Sequence, residues 1–257
     1  MIFTNVDTTY RCLCSELLQR GKKVRNTLEL TDVSIAFPCK ANNIVSVRDI
    51  SVEYLLGELV WYFSGRNDTA FISKYAKRWK EISDDGITAN SAYGYTLMKE
   101  HGFNQLETII ELLLQDKYSR RAVLNINKAN KNVITTKDEP CTICLQFLIR
   151  DNELHCTTYM RSNDIWWGFP YDVAFFTLLQ RYIAYRLRIP VGYYRHVATS
   201  LHVYIDKIEK IKEPEPSIKY FICAEKLPQF AKNVIETNTT KADIERIARI
   251  QGVLKEV

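Results

Sequence analysis

With 257 residues, 46% of them hydrophobic and 25% charged, the chain has an ordinary globular composition and enough length for one large core. No stretch rich in Pro, Gly or Ser divides it, so residues 1–257 are expected to form a single domain. The net charge of +5 is mild and its lysines and arginines are scattered, which argues against a binder of long nucleic acid and suits a small anionic substrate held by a few converging arginines.

The N-terminal MIFTNVDTTYRC lacks the positive start and apolar run of a signal peptide, and no apolar segment reaches membrane-spanning length; a cytoplasmic protein with no membrane contact is expected. Asp7 to Gln19 reads as a helix, with Asp7 or Thr8 as cap and Gly21 as stop. Lys22 to Asn26 reads as a loop feeding strands, β-rich around Val33 to Phe37, and Arg25 taken alone is a solvated charge. Ile50 to Ser64 reads as a helix capped by Ser51 and stopped by Gly65. One turn from Glu58 on its surface lie Tyr54, Leu55, Trp61 and Tyr62, so the carboxylate is carried on an apolar face. Burial raises the pKa of such a group and suits it to proton transfer; a structural glutamate bonded to a tyrosine or to backbone fits the same pattern. Asp68 to Lys80 reads as a second helix ending near Trp79, Asp84-Asp85-Gly86 as a turn, and Leu106 to Leu114 as an amphipathic helix. Asp116 to Arg121 leads into a strand, Ala122 to Ile126, and the adjacent Arg120 and Arg121 alone read as a solvated pair.

Cys141 to Arg150 and Glu153 to Arg161 read as a hairpin turning at Asp151-Asn152. Counting outward, Arg150 faces Glu153 and Cys141 faces Ser162, which gathers a cysteine, an arginine and a serine at the open end. A guanidinium beside a thiol favours the thiolate that a nucleophile needs, whereas Cys141 without those neighbours is one more small buried residue. Cys141 and Cys144 form a C-x-x-C, but positions three apart on a strand point to opposite faces, so neither a disulfide nor a shared metal is expected; seven cysteines without small-scaffold spacing suit a reducing compartment. Pro170 opens a helix, Tyr171 to Arg186, with Asp172 in its first turn. A strand then carries His202 and Tyr204 on one face and runs into a helix, and Lys241 to Val257 reads as a last helix.

Pro140-Cys141 with Gln146-Phe147, then Tyr159-x-Arg161-Ser162-x-Asp164 followed by Gly168-x-Pro170, then His202-x-Tyr204, resemble in identity and order the motifs of the thymidylate synthase superfamily, over about Arg25 to Tyr204. The resemblance implies an α+β fold with a large mixed β-sheet flanked by helices, one sheet face forming a homodimer interface. It implies Cys141 as nucleophile, with Glu58 in LLGELVWYFSG and Tyr93 in Ala92-Tyr93-Gly94 handling water and protons. Arg25, Arg161 and Ser162 would cradle the phosphate of a pyrimidine nucleoside monophosphate, joined by Arg120 and Arg121 lent from the neighbouring subunit. His202 and Tyr204 would bond the sugar hydroxyl and Gln146 would lie at the base. Trp79, Asp164, Gly168 and Tyr171 would hold 5,10-methylenetetrahydrofolate, and no metal is implied. The chain departs from the pattern at Asn26-Thr27, where Thr-Gly is usual after the loop arginine, at Ile82 for a second tryptophan, and at Thr199-Ser200 for Gly-Asp. Nothing after Lys212 resembles the synthases' C-terminal segment.

Asp172 stands where family members acting on uracil carry asparagine, whose amide both accepts from the ring N–H and donates to the carbonyl. Cytosine presents the reverse order, which a neutral carboxylic acid matches, as does a carboxylate facing a ring protonated at that nitrogen. A helix-start acid bonded to backbone donors is the plainer reading of the same residue. Thr142 replaces the synthases' usual histidine, and Cys-Thr, FLIRD and MRSND resemble the phage deoxycytidylate hydroxymethylases. The resemblance thus implies dCMP hydroxymethylation, in which Cys141 attacks carbon 6, carbon 5 takes the one-carbon unit, and water adds to the resulting exocyclic methylene. CMP hydroxymethylation, methylation of dUMP or dCMP, and a catalytically silent nucleotide or RNA binder stay open.

Overall fold

The computed structural model describes residues 1–39, 43–212 and 217–257. α1 (Val6–Arg20) is capped by Asn5, whose side chain accepts from the Thr8 amide; Asp7 instead accepts from the amide and hydroxyl of Ser46. Lys22–Val24 is a strand, β1, not a loop: it pairs with β2 (Thr27–Pro38) and leaves Arg25 exposed at the hairpin tip with φ of 52°. All three residues of β1 are exposed, so they carry no burial alternation to read. α2 (Val52–Phe63) starts where Ser51 accepts from the Tyr54 amide, and Gly65 turns the chain beyond its end with φ of 59°.

The helix expected over Asp68 to Lys80 is broken into α3 (Thr69–Ile72), capped by Asp68, and α4 (Arg78–Ile82). Between them the buried Tyr75 ring lies on Gly57 of α2, where a Cβ would stand 2.5 Å from it; this packing overrides local helix propensity. α5 (Tyr93–Tyr95) runs into a π-helical turn at Thr96–Glu100, and α6 (Gln105–Gln115) leads to β3 (Val123–Asn125).

β4 (Thr142–Arg150) and β5 (Glu153–Met160) form the expected hairpin, with Asp151 and Asn152 at φ of 50° and 60° and Arg150 opposite Glu153. Near its open end a bulge between Thr142 and Cys144 slips the register by one, so the amide of Arg161, not of Ser162, reaches the Cys141 carbonyl at 2.9 Å. β6 (Asn163–Asp164) precedes α7 (Phe169–Leu187), which carries Pro170 and Asp172 in its first turn, and β7 (Val191–Tyr204) follows. The chain closes with α8 (Ile208–Lys212), β8 (Tyr220–Ile222), α9 (Leu227–Glu236), α10 (Lys241–Ile250) and β9 (Leu254–Glu256). The expected C-terminal helix therefore ends at Ile250; Gly252, at φ of 66°, turns the chain so that β9 pairs with β8.

The large sheet runs β1-β2-β7-β5-β4-β3, antiparallel except that β5 and β6 lie parallel to β7. α7 makes the crossover between β5 and β7 and packs on both, and α1 packs on β2. Leu145, Phe147 and Ile149 of β4 and Tyr194, His196 and Ala198 of β7 point to the buried side, while Ile143, Tyr159 and Tyr193 are exposed. This is the α+β architecture with a mixed sheet that the motifs implied. Across Thr199-Ser200 the buried positions of β7 change from even to odd numbers, alongside the break at Arg161-Ser162 that separates β5 from β6. Among the described residues no helix is long and apolar enough to cross a membrane.

Candidate active site

Two carboxyls from different elements, Glu58 of α2 and Asp172 of α7, lie close enough for the charge of the second to act on the first. Glu58, in the middle of α2, accepts a 2.5 Å hydrogen bond from the Tyr54 hydroxyl, which itself accepts from the Trp79 indole at 3.1 Å. Burial, and secondarily the charge of Asp172, push the Glu58 pKa up to about 8, although the Tyr54 bond works against them. The tyrosine partner that a structural glutamate would have is thus present, and it links the acid to an indole at the pocket. Tyr171 stands edge-on to Tyr54 with ring centroids 4.8 Å apart and accepts from the Ser51 amide.

Asp172 lies where α7 enters the sheet layer. Its Oδ2 accepts from the Asn163 side chain at 2.8 Å, and burial raises its pKa to about 7 with help from the Asp164 charge. Helix-start backbone donors, the plain reading of this acid, do not explain so large a rise; desolvation does. Gly168 packs closely against both: a Cβ on it would stand 3.0 Å from Asn163 Nδ2 and 3.1 Å from Asp172 Oδ2.

Cys141 sits just before β4, and the bulge beside it turns Arg161 toward it, with Nη2 3.9 Å from the sulfur. The same guanidinium donates to the carbonyls of Glu139 and Pro140, which fixes it against the strand that carries the thiol. Burial pushes the Cys141 thiol up to about 11, Arg161 pulls it down, and the charges of Asp172, Asp138 and Asp164 raise it. Tyr93, stacked on Tyr62 at 5.4 Å, feels the charges of Asp172 and Cys141, and its pKa is raised chiefly by burial. Its neighbour Gly94 lets α5 press against α2: a Cβ there would lie 2.0 Å from the Tyr62 carbonyl oxygen.

Asp164 spends one oxygen on the amides of Trp166 and Trp167, while the other is buried, has no hydrogen-bond partner and lies 4.0 Å from His202 Nε2. His202 and Tyr204 share a face of β7, as expected, with rings edge-to-face at 5.5 Å. Glu58, Tyr93, Cys141, Arg161, Asp164, Gly168, Tyr171, Asp172 and Trp79 are thus linked by bonds, ring contacts or mutual charge, and Ser162 lies at the break beside Arg161. His202 joins the group through Asp164 and Tyr204 through His202, whereas Arg25, Arg120, Arg121 and Gln146 stand apart. Arg120 and Arg121 are exposed between α6 and β3, and Arg25 is exposed at its hairpin tip. Gln146 points to the open side of the sheet, where its amide donates to the Arg120 carbonyl, because strand alternation puts Leu145 and Phe147 inward instead.

The sequence reading did not single out Asn163, His196, Tyr194 or Arg48 as site residues. Arg48 is buried, donates to the Trp166 carbonyl and lies 3.8 Å over the Trp166 ring. Tyr194 and His196 share the even-numbered, inward alternation of β7, whereas Asn163 and Arg48 gave no local signal.

A family model described as thymidylate synthase matches residues 8–241. The chain belongs to the thymidylate synthase family. Within that family it is 32% identical over 205 residues to a deoxyuridylate hydroxymethyltransferase of Bacillus phage SP01, covering 74% of this chain and 53% of the relative. It is likewise 32% identical over 167 residues to a deoxyuridylate hydroxymethyltransferase of Pseudomonas phage M6, covering 64% and 48%. The chain therefore spans about half the length of the curated relatives it matches. Membership in the thymidylate synthase family gives the Cys141–Arg161 pair and the Glu58 and Asp172 carboxyls a common setting, since each falls within the matched region.

Proposed function

We propose that this protein is a pyrimidine nucleotide hydroxymethyltransferase that converts dCMP to 5-hydroxymethyl-dCMP, with 5,10-methylenetetrahydrofolate as one-carbon donor. The observation that carries the choice of base is Asp172, a half-buried carboxyl bonded to the Asn163 side chain, whose pKa of about 7 leaves it largely protonated only below neutrality. With its proton on the oxygen that faces the ring nitrogen, such an acid offers a donor and an acceptor in the order cytosine needs, and once ionised it still accepts from the amino group and from a protonated ring nitrogen. The names of the two phage relatives favour dUMP as the second reading.

Each residue has a part in that reaction. The Cys141 sulfur adds to carbon 6 of the ring, which makes carbon 5 the nucleophile; Arg161 favours the thiolate and reaches toward the phosphate. Asp172 holds the base edge and stabilises charge that develops when sulfur adds. Glu58, near its pKa at neutral pH and tied to Tyr54, organises water and protons, with Tyr93 assisting proton removal from carbon 5. The folate would supply a carbon at the oxidation level of formaldehyde. The unpartnered buried oxygen of Asp164 and the half-buried Trp79 suit it, offering an acceptor to the pterin and an aromatic face, with Gly168 and Tyr171 alongside. Water completes the hydroxymethyl group, and Cys141 then leaves carbon 6.

Two copies pair through the open side of the sheet, which sets Arg120 and Arg121 toward the partner's phosphate together with its Arg25, Arg161 and Ser162, while His202 and Tyr204 address the sugar. Exposed Ile143, Tyr159 and Tyr193 on that side support the pairing. The test is incubation with 5,10-methylenetetrahydrofolate and, separately, dCMP, CMP and dUMP, with the product identified by mass. Hydroxymethyl-dCMP is expected. A CMP product would correct the sugar, hydroxymethyl-dUMP or dTMP would overturn the role of Asp172, and no turnover would favour a nucleotide-binding homologue.

A further inference from the structure

A neutral carboxylic acid is two-faced. With its proton on one oxygen it matches cytosine, and with the proton moved to the other, or the group turned over, it matches uracil equally well. If Asp172 reads the base, something must decide which oxygen accepts.

Behind Asp172 runs a buried chain of hydrogen bonds that the reaction itself does not use. The Tyr194 hydroxyl meets His196 Nδ1 at 2.9 Å, His196 Nε2 meets Asn163 Oδ1 at 3.0 Å, and Asn163 Nδ2 donates to Asp172 Oδ2 at 2.8 Å. Asn163, Tyr194 and His196 are all nearly inaccessible to solvent. Since Asn163 Oδ1 can only accept, His196 must carry its proton on Nε2, and Tyr194 must then donate to Nδ1. Burial holds the imidazole neutral, with a pKa lowered to about 3, so the order does not invert through an imidazolium near neutral pH. Gly168 closes the arrangement from the other side, having no Cβ to press on the Asn163–Asp172 bond.

We propose that Asn163, oriented by His196 and Tyr194, is a specificity-determining positioning residue: it makes Oδ2 of Asp172 the accepting oxygen and assigns the acid's proton to Oδ1. One base edge is thereby matched and the other is met with like against like. This rests on the reading that Asp172 holds the base.

The other titratable groups facing Asp172 are Asp164 of β6, Glu58 and Tyr62 of α2, Tyr93 of α5, Cys141 before β4 and Tyr194 of β7. Most are acids or buried phenols, so a shift in Asp172 is read against the same residues in every variant.

The test compares kcat/KM for dCMP and dUMP across pH in the wild type, Asn163→Ala, His196→Phe, His196→Gln and Asp172→Asn. Asn163→Ala and His196→Phe should shrink the ratio between the two bases at least tenfold. The alanine variant should also move the Asp172 limb of the pH profile upward, because a donor to the carboxylate is gone. His196→Gln, whose amide can still donate to Asn163 Oδ1, should retain most of the ratio. Asp172→Asn should turn the preference toward dUMP; if it does not, the base reading fails. If it does while Asn163→Ala and His196→Phe leave ratio and limb unchanged, the relay alone is wrong. Nitrogen-15 spectra of labelled histidine in the wild type give an answer independent of activity and of variant folding: His196 should be the Nε2–H tautomer from pH 5 to 8, and an Nδ1–H tautomer would overturn the proposal.

Discussion

A thiol held near pKa 11 is almost wholly protonated at neutral pH, about one thiolate in ten thousand molecules, so Cys141 depends on its neighbours to become a nucleophile. Arg161 is the group that lowers it, while Asp172 raises it from across the pocket. An opposing charge at this range in a desolvated site is worth one or more pKa units, or roughly tenfold in thiolate per unit. Replacing Arg161 with Met should therefore move the pH midpoint of Cys141 alkylation by iodoacetamide upward by about one unit, and Asp172→Asn should move it downward. Peptide mapping separates Cys141 from the other six cysteines. The midpoint is the informative quantity, because trimming Arg161 also changes access to the sulfur; a midpoint unmoved by either substitution would mean that neither charge governs the thiol.

Hairpin β4–β5, helix α2 and helix α7 were legible from the sequence because each carries local punctuation: an Asp-Asn turn, a serine cap, a proline in the first turn. The bulge at Ile143 was not, since it has no composition of its own, yet it decides that Arg161 rather than Ser162 stands opposite Cys141. The break between α3 and α4 and the pairing of β9 with β8 are set by contacts distant in sequence, Tyr75 on Gly57 and Leu254 opposite Ile222, which periodicity does not register. The same limit applied to the Asn163–His196–Tyr194 chain, whose members come from two strands. The family resemblance implied a sheet with one face left for pairing, and that element carries its own prediction. Ile143, Tyr159 and Tyr193 place apolar and aromatic area on the open side of a sheet whose other side is packed. Tyr159→Glu should abolish self-association in sedimentation while leaving the far-ultraviolet circular dichroism unchanged, and should reduce turnover at least tenfold if arginines cross the interface. A monomeric wild type, or a Tyr159→Glu protein that still pairs, would remove this side of the sheet as the interface.

For the molecule as a whole, the site is a source of instability with a definite pH dependence. Glu58 and Asp172 have folded-state pKa values of about 8 and about 7, well above those of exposed carboxyls. In the pH range between the unfolded and folded values, the folded chain binds protons that the unfolded chain has released, so stability contributed by these groups is full below about pH 4 and is lost as pH rises through 7 and 8. His196 works the opposite way, its pKa of about 3 lying below the usual histidine value, and it withdraws stability as pH falls from about 6.5 toward 3. Neutral isosteres at the two acids should isolate the first effect. Glu58→Gln and Asp172→Asn, each expected to lose dCMP turnover, should each be more stable than the wild type at pH 8, by on the order of 1–3 kcal/mol, with the gain vanishing near pH 4. Urea unfolding at both pH values and at one protein concentration measures the difference directly, the fixed concentration removing any contribution from self-association. Curves for wild type and variants that stay parallel from pH 4 to pH 8 would show that the two carboxyls are not strained as their surroundings imply, and the role of Glu58 as a proton carrier poised near neutrality would fall with that result.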